Sequence, residues 1–415
     1  MTRDLAHHWT LDPAIDFLNH GSFGATPRRV LEAQQAWRSE MEREPVRFMV
    51  ELLEPALDGA RAALSAFVGA EPDDLAFVPN ATTGANTVLR SLAFEPGDEI
   101  LTTDHEYNAI KNAIEFVAAR SGARMVAAQV PFPSQGPDEV IERVMASVTP
   151  RTRLAVLDHV TSATGLVLPV AQLVALLARR GIDTLIDGAH APGMLELDVA
   201  ALDAAYYTGN LHKWVCAPKG AAFLWVRSDR QERIRPLTIS HGANDPRTDR
   251  SRFRLEFDWT GTADPSAYLA VPVALGFGSS LLDGGWPALR SRNHALVLAG
   301  RDVLLATLAA DQPAPDEMIG NMASIPLGWE RGTSAVQGVK LDDDALHAAL
   351  VAAGFQVMVT PWPQRPGDGP WRRILRISAA AYNTLEQFQR LAAVLPGLAA
   401  SAAGVPETLP AAAAP

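Results

Sequence analysis

Between Leu75 and Arg227 the chain alternates short apolar runs with longer stretches whose apolar residues recur at helical spacing. Seven of the runs have the length of β-strands: Leu75–Pro79, Glu99–Thr103, Arg124–Val130, Arg153–His159, Asp183–Asp187, Ala204–Thr208 and Ala221–Val226. Alternation of this kind predicts an α/β fold, in which a mostly parallel seven-stranded sheet of a large domain lies between helices. In such sheets ligands bind at the carboxyl ends of the strands, so we expect functional residues directly after each run.

The sequence on either side of this alternation predicts further units. Helical patterns precede it at Arg28–Arg43 and Glu54–Phe67. After about Leu275 the pattern predicts helices and strands together: helices at Ala288–Leu308 and Asp343–Ala353, and strands at Ala335–Leu341, Gln356–Val359 and Ile374–Ser378. We therefore predict an N-terminal segment (1–70) that contributes to a small domain, a large domain (71–274), a smaller α+β C-terminal domain (275–397) and a disordered, Ala- and Pro-rich tail (398–415).

Composition excludes several classes of protein. The single cysteine among 415 residues rules out an intrachain disulfide framework and a Cys-rich zinc site, and it fits a reducing compartment. The net charge of −11 argues against a nucleic-acid partner, because phosphate binding needs clustered Lys and Arg. Neither a signal peptide nor an apolar run of membrane-spanning length is evident. We expect a soluble cytoplasmic protein with no nucleic-acid or membrane partner.

Two segments that lie 26 residues apart carry the main chemical signal. Asp187 ends an apolar run and is followed by Gly188, whereas Lys213 lies between His212 and Trp214 after one further strand. A lysine can hold an aldehyde as a Schiff base, and a strand-end carboxylate can pair with a protonated pyridine nitrogen. The pair therefore predicts a pyridoxal 5′-phosphate site. No metal site is predicted, because the acidic run Asp342–Asp344 is typical of a helix N-terminus.

These segments resemble the fold-type I pyridoxal phosphate enzymes, and within them the class V aminotransferase family. The family includes cysteine desulfurases, cysteine lyases and isopenicillin N epimerases, and the resemblance extends to about Pro396. The stretches Glu44–Phe48, Asn80–Asn86 and Thr103–Asn108 are most similar to the isopenicillin N epimerase-like branch. The stretch Asn19–Gly24 resembles the family's N-terminal substrate loop, which implies substrate contacts for Asn19 and His20.

The segment Asn80–Asn86 follows a predicted strand and begins a helix. Its small residues allow backbone N–H groups to approach an anion at the positive end of the helix dipole, and Thr82 and Thr83 add hydroxyl donors. In isolation the same pattern is typical of a plain helix cap. Beside Asp187 and Lys213, it predicts the binding loop for the cofactor phosphate.

The resemblance also implies contacts to the cofactor ring. An aromatic residue after the second strand should stack on the pyridine, and we assign this role to His105, with Tyr107 as the competing candidate. Where many relatives have an Asn that bonds the ring's phenolic oxygen, this chain has Ser162, and His190 is the other candidate for that oxygen. Asn210 and His212 precede the lysine, where the family places further contacts to the phosphate or the ring.

Further contacts are expected from a partner subunit and from the substrate. Thr262 follows Thr260-Gly261 and resembles a threonine that reaches the neighbouring subunit's phosphate, which implies a homodimer with shared active sites. Arg376 lies in an apolar strand, where its burial is costly unless a carboxylate meets it, and the resemblance assigns it to the substrate carboxylate. Arg47 is either a second substrate contact or a member of a surface ion pair.

These residues predict an enzyme that acts at the α-carbon of a small-molecule amino-acid substrate, with Lys213 as base and a quinonoid intermediate. We place an isopenicillin N epimerase-like activity first, a carbon–sulfur β-lyase acting on a cysteine derivative second, and transamination third. Cysteine desulfurases need a mobile cysteine shortly before the substrate arginine, and Phe355–Leu375 contains none. Desulfurase activity is therefore disfavoured. A non-catalytic scaffold would have little use for Lys213, Asp187 and Arg376 together.

Overall fold

A computed structural model describes residues 5–327, 345–363 and 372–402. The strands, numbered along the chain, begin with β1 (Asp16–Phe17) and continue with the seven strands of the large sheet. These are β2 (Leu75–Val78), β3 (Glu99–Thr103), β4 (Arg124–Ala128), β5 (Thr152–Asp158), β6 (Asp183–Asp187), β7 (Tyr206–Asn210) and β8 (Ala222–Val226). Their order in the sheet is β2-β8-β7-β6-β5-β3-β4, and β8 alone among them runs antiparallel to its neighbours. The predicted seven-stranded, mostly parallel sheet is confirmed.

The large sheet is covered on both faces because its central strands are apolar on both sides. Along β5, Leu154 and Val156 pack into one buried cluster, whereas Ala155 and Leu157 pack into the other. The helices before and around this sheet are α1 (His20–Phe23), α2 (Arg28–Arg43), α3 (Pro45–Arg47), α4 (Leu53–Val68), α5 (Ala81–Ser91), α6 (Asn108–Ser121), α7 (Pro137–Ala146), α8 (Val170–Ala178), α9 (Arg252–Asp258), α10 (Ser266–Leu269) and α11 (Val271–Ser280). A π-helical turn, Phe48–Leu52, connects α3 to α4.

The small domain is a three-stranded antiparallel sheet packed against helices. Its strands are β9 (Met322–Pro326), β11 (Met358–Trp362) and β12 (Arg372–Ser378), and its helices are α12 (Gly285–Leu308), α13 (Ala345–Ala352) and α14 (Leu385–Ala402). The N-terminal segment joins this domain through β1, which pairs in parallel with β10 (Phe355–Gln356). The predicted strand at Ala335–Leu341 lies outside the described residues. The tail was predicted to begin too early, since α14 continues past 397 to Ala402.

Long apolar helices are present in the described residues, but none has both the length and the apolarity to cross a membrane by itself. The helical segments Ser266–Ser280 and Gly285–Leu308 are long and apolar enough to cross a membrane only when they are counted together, and a bend of 71° separates them.

Parallel pairing brings the chemically important strand ends to one edge of the large sheet. Strands β3, β5, β6 and β7 are parallel to their neighbours in this region, and Asp158 at the end of β5 is the direct partner of Asp187 at the end of β6. Lys213 follows β7 by three positions. The short helix α1 and strand β12 approach the same edge, because His20 bonds the Lys213 carbonyl and Arg376 bonds the Ser162 carbonyl.

Candidate active site

The amine of Lys213 lies in the centre of this edge. Its Nζ atom is 3.0 Å from Nε2 of His190. Burial and, to a smaller extent, the positive charge of Arg376 lower the pKa of Lys213 to about 7, against the opposing effect of Asp187 and Asp158. A substantial fraction of the amine is therefore uncharged at neutral pH, which is the form that can attack an aldehyde or accept a proton.

His190 is buried and has one unused polar atom. Burial lowers its pKa well below the ordinary value, and the charge of Lys213 adds to the effect, so the ring is neutral. When Lys213 donates to Nε2, the ring proton resides on Nδ1. Among the described residues Nδ1 has no hydrogen-bond partner. A buried unsatisfied donor costs about 1–3 kcal/mol, so this atom is suited to an oxygen that a bound molecule supplies.

Three buried carboxyl groups lie under the site. Potential ligand oxygens of Glu106, Asp158 and Asp187 are all within 4.8 Å of one another. Burial raises the pKa of all three, and mutual repulsion raises the pKa of Glu106 and Asp158 well above the ordinary value. The N–H of Ala189 donates to Asp187 Oδ1 at 2.9 Å and the charge of Lys213 lowers the pKa of Asp187, so Asp187 is the group that ionises most readily.

Glu106 and Asp158 were not predicted from the sequence as members of this cluster. A signal existed for Asp158, which ends an apolar run as Asp187 does, on the neighbouring strand. The three oxygens are close enough together for a metal ion. Burial and mutual repulsion favour the protonated forms of Glu106 and Asp158, which leaves Asp187 as the member that ionises most readily.

The N-terminus of α5 forms the predicted anion loop. Asn80 caps the helix, since its Oδ1 accepts from Thr83 N at 2.8 Å and from the Thr83 hydroxyl at 3.0 Å. Asn210, predicted as a cofactor contact, accepts from Ala81 N at 2.8 Å and so ties the end of β7 to this helix. Thr82 lies in the first turn and is partly exposed. The predicted anion loop thus coincides with a capped helix N-terminus.

Close packing fixes this helix against the strand that leads to the lysine. A Cβ atom on Gly84 would lie 2.2 Å from Oγ1 of Thr208, so a larger residue would push α5 away from β7. His212, before the lysine, has Nδ1 at 3.3 Å from the Ala221 carbonyl, and burial together with Lys213 lowers its pKa to about 4. His212 is therefore neutral and carries no charge toward an anion.

His105 does not face the site as predicted. Its ring is fully buried, with Nδ1 at 2.7 Å from the Thr164 hydroxyl and Nε2 at 2.9 Å from the Val130 carbonyl. The ring packs against Trp362 of the small domain, with centroids 4.3 Å apart. Tyr107 is 44% exposed and lies near enough to Arg376 to raise the guanidinium pKa. The geometry favours Tyr107 as the aromatic residue presented to the site, because the His105 ring is enclosed by its partners whereas the Tyr107 side chain is accessible and close to Arg376.

Arg376 is buried without an anion. Its guanidinium donates to the Ser162 carbonyl, to Asn19 Oδ1 at 3.1 Å and to Ser22 Oγ at 2.9 Å, and Nε has no partner among the described residues. No carboxylate of the described residues lies within ion-pair distance of it. Burial lowers its pKa to about 10, so the group is still charged at neutral pH. A buried cation held only by neutral oxygens is suited to a carboxylate from outside the chain.

Two predicted substrate contacts have other positions. His20 was expected to touch substrate, but Nδ1 is 2.8 Å from the Tyr382 hydroxyl and Nε2 is 2.8 Å from the Lys213 carbonyl, so neither nitrogen is left over. Arg47 is half exposed and is 3.9 Å from Glu44 and 3.6 Å from Glu51, which is the surface ion-pair alternative. Asn19 does reach the site, where it holds Arg376.

Thr262 lies in the exposed loop after α9. Its neighbours Thr260 and Gly261 line a cavity of about 220 Å³ together with Thr83 and Thr87 of α5. The loop is therefore next to the anion-loop helix, and the exposed Thr262 side chain is available to a second chain.

Comparisons with known proteins agree with this geometry. The family model for aminotransferase class-V matches residues 18–259. Isopenicillin N epimerase of Amycolatopsis lactamdurans is 36% identical over 93% of this chain and 96% of its own length. A probable chloroplastic L-cysteine desulfhydrase of Arabidopsis thaliana is 32% identical over 95% of this chain and 84% of its own.

Solved structures share the fold. A mutant of C-DES with glycine covalently linked to its PLP cofactor superposes with a TM-score of 0.77 at 22% identity, over 94% of this chain and 98% of that one. The complex of the cystine C–S lyase C-DES with its product cysteine persulfide gives a TM-score of 0.75 at 23% identity, over 92% and 97% of the two chains.

Proposed function

The chain belongs to the class V aminotransferase family of pyridoxal 5′-phosphate enzymes, and on that premise we propose that it acts at the α-carbon of an amino-acid substrate. One observation carries the proposal: the enclosed amine of Lys213, with its pKa lowered to about 7, shares a site with a buried Arg376 that no carboxylate of the described residues neutralises. The amine can hold an aldehyde, and the guanidinium can hold an α-carboxylate.

The residues present fit the cofactor. Lys213 would bind its aldehyde, Asp187 would face the pyridine nitrogen, and the unsatisfied Nδ1 of His190 would donate to the ring's oxygen. The N-terminus of α5, with Thr82 and Thr83, would hold the phosphate. When bound, the cofactor supplies an electron sink for the electron pair left on the α-carbon.

The chain's own residues perform the remaining work. Arg376 binds the substrate carboxylate and thereby orients the α-carbon relative to Lys213. The Lys213 amine, uncharged in a substantial fraction of molecules at neutral pH, accepts the α-proton at Nζ. Burial and mutual repulsion raise the pKa of Glu106 and Asp158 and favour their protonated forms, so Asp187 would be the carboxylate that faces the pyridine nitrogen of a bound cofactor.

For the specific reaction we propose an isopenicillin N epimerase-like activity, in which a proton returns to the opposite face of the α-carbon. Support comes from the epimerases of Amycolatopsis lactamdurans and Streptomyces clavuligerus, at 36% and 35% identity over nearly their whole length. The second candidate is β-elimination from a cysteine derivative. Relatives named L-cysteine desulfhydrase favour it, as does its need for one base only, which Lys213 provides.

A panel of amino acids offered to the purified enzyme in deuterated water separates these reactions. For epimerisation we expect deuterium at the α-carbon and falling optical purity, measured by mass spectrometry and chiral chromatography. Pyruvate with sulfide or a thiol would assign β-elimination, and a keto acid with aminated cofactor would assign transamination. Exchange at no substrate of the panel would contradict the proposed chemistry at the α-carbon.

We also propose a cytoplasmic homodimer in which Thr262 completes the partner's phosphate site. Each site would then combine Lys213 of one subunit with Thr262 of the other. The Lys213→Ala and Thr262→Ala variants should each be impaired alone, yet a mixture refolded together should recover activity, because about half of the dimers are mixed and each mixed dimer contains one intact site. Recovery is measured against each variant refolded alone. No recovery in mixed dimers, verified by mass spectrometry, would contradict the shared site.

A further inference from the structure

One helical turn of the N-terminal segment contacts both the backbone of Lys213 and the side chain of Arg376. The turn is α1 with the preceding Asn19, and it carries His20, which is 1% exposed. The ring of His20 bonds the backbone carbonyl of Lys213, not its amine, at 2.8 Å. The turn thereby connects residues that are 193 positions apart in the chain.

The hydrogen bonds fix the tautomer of His20. A carbonyl oxygen can only accept, so Nε2 carries the ring proton and donates to Lys213. Nδ1 must then accept, and the Tyr382 hydroxyl donates to it at 2.8 Å. Burial lowers the pKa of His20 to about 4, so the ring remains neutral in this single tautomer. The bond to the lysine peptide is therefore always made by the same atom.

Packing holds the turn directly against the lysine backbone. The His20 ring contacts the Trp214 ring, with centroids 4.8 Å apart. At Gly24, which has a positive φ of 68°, a Cβ atom would lie 2.0 Å from the His212 carbonyl oxygen. Only glycine permits so close an approach in that backbone conformation.

The other side of the turn holds the arginine. Asn19 Oδ1 and Ser22 Oγ both accept from the same terminal nitrogen of Arg376, at 3.1 and 2.9 Å. Gly21 N donates to the Ser378 hydroxyl at 3.2 Å, which joins the turn to the arginine's own strand. The turn therefore bonds both the guanidinium that we assign to the substrate carboxylate and the backbone carbonyl of Lys213.

We propose that His20 is a positioning residue for Lys213, which it ties to Arg376 through one helical turn. It fixes the peptide of the lysine and so directs Nζ toward His190, while Asn19 and Ser22 of the same turn hold Arg376. The inference rests on the proposed role of Lys213, and it removes His20 from the substrate contacts.

The test measures how fast the full-length chain, freed of cofactor, takes up added pyridoxal 5′-phosphate. The chain contains four lysines, Lys111, Lys213, Lys219 and Lys340, so borohydride reduction followed by peptide mass spectrometry assigns the attachment. The rate is measured from pH 5 to 10. The variants are His20→Leu, His20→Gln and Tyr382→Phe. The matched control is His294→Leu, which removes a histidine bonded to the Gly320 carbonyl at 3.0 Å.

We expect His20→Leu to slow attachment at Lys213 about tenfold, because a misdirected amine meets the aldehyde less often. Its pH midpoint should rise from about 7 toward the ordinary lysine value as Nζ leaves its enclosure. His20→Gln keeps an N–H donor and should stay within about threefold of the wild type. The rate of attachment in Tyr382→Phe should lie between those of His20→Leu and His20→Gln. His294→Leu should leave the rate and the pH midpoint unchanged, even if its melting temperature falls.

A wild-type rate and pH midpoint in His20→Leu would overturn the inference, and so would an equal loss of rate in His294→Leu. If His20→Leu does not fold, a wild-type rate and midpoint in Tyr382→Phe would overturn it. Attachment of the cofactor to another lysine in the wild-type chain would instead overturn the proposed function. The two failures are thus distinguishable in one experiment.

Discussion

Replacing Lys213 with alanine should abolish covalent attachment of pyridoxal 5′-phosphate and lower turnover by about 10⁴-fold or more, because one residue supplies both the attachment point and the base. Folding should survive, since the substitution removes an amine whose charge burial already disfavours. In the wild-type chain the rate of attachment should rise with pH through about 7, since deprotonation creates the reactive amine. Absorbance spectra and borohydride trapping measure both effects.

Lys219 provides a matched control for this variant. It lies six positions further along the chain. Its Nζ donates to the Gly24 carbonyl at 3.0 Å, so Lys219 also contacts the N-terminal segment. Lys219→Ala should retain cofactor trapped at Lys213. Borohydride-stable cofactor in the Lys213→Ala protein would mean that another lysine holds it, and the site would then be wrongly assigned.

Replacing Arg376 with glutamine should raise KM for the amino-acid substrate about 100-fold or more, since a buried charge-assisted pair with the carboxylate is lost. Cofactor should still attach at Lys213, but loss of the Arg376 charge should raise the pKa of the lysine and so move the pH midpoint of attachment upward. Arg376→Lys keeps the charge but loses the planar guanidinium that bonds Ser162, Asn19 and Ser22 together. Its KM should therefore lie between those of the wild type and Arg376→Gln. Steady-state kinetics measure the effect.

Arg292 is the control for loss of a part-buried guanidinium. It donates to the carbonyls of Ala380 at 3.3 Å and Asn383 at 3.0 Å, at the end of the loop that follows Arg376. Arg292→Gln should lower the melting temperature and leave KM near the wild-type value. An unchanged KM in Arg376→Gln would refute the assignment of the substrate carboxylate.

Much of the fold was predictable because apolar periodicity is a local property. The seven strands of the large sheet were located within a few residues, and the end of β6 at Asp187 was located exactly where the apolar run stops. Parallel pairing then requires strand ends to meet at one edge, so Asp187 and Lys213 were expected to be neighbours, and their charges do interact. The prediction was less accurate at the C-terminal end, where α14 continues to Ala402 and so includes the first residues of the predicted tail.

Side-chain direction after a strand end was not predictable in the same way. His105 and Tyr107 were both candidates, and the choice depended on Val130, Thr164 and Trp362, which enclose the histidine. The hydrogen bonds of His20 were unpredictable for a similar reason, because its partners Tyr382 and Lys213 are far away in sequence.

The sequence by itself determined the fold class and predicted a cofactor lysine and its strand-end acid, because each depends on a local pattern and on the rule that parallel strands end together. Only the tertiary structure decided that Glu106 and Asp158 share a buried cluster with Asp187, that Arg376 has neutral oxygens for partners, and that an N-terminal turn holds the lysine peptide. These features depend on burial and on contacts between distant segments, and neither is encoded in the spacing of residues along the chain.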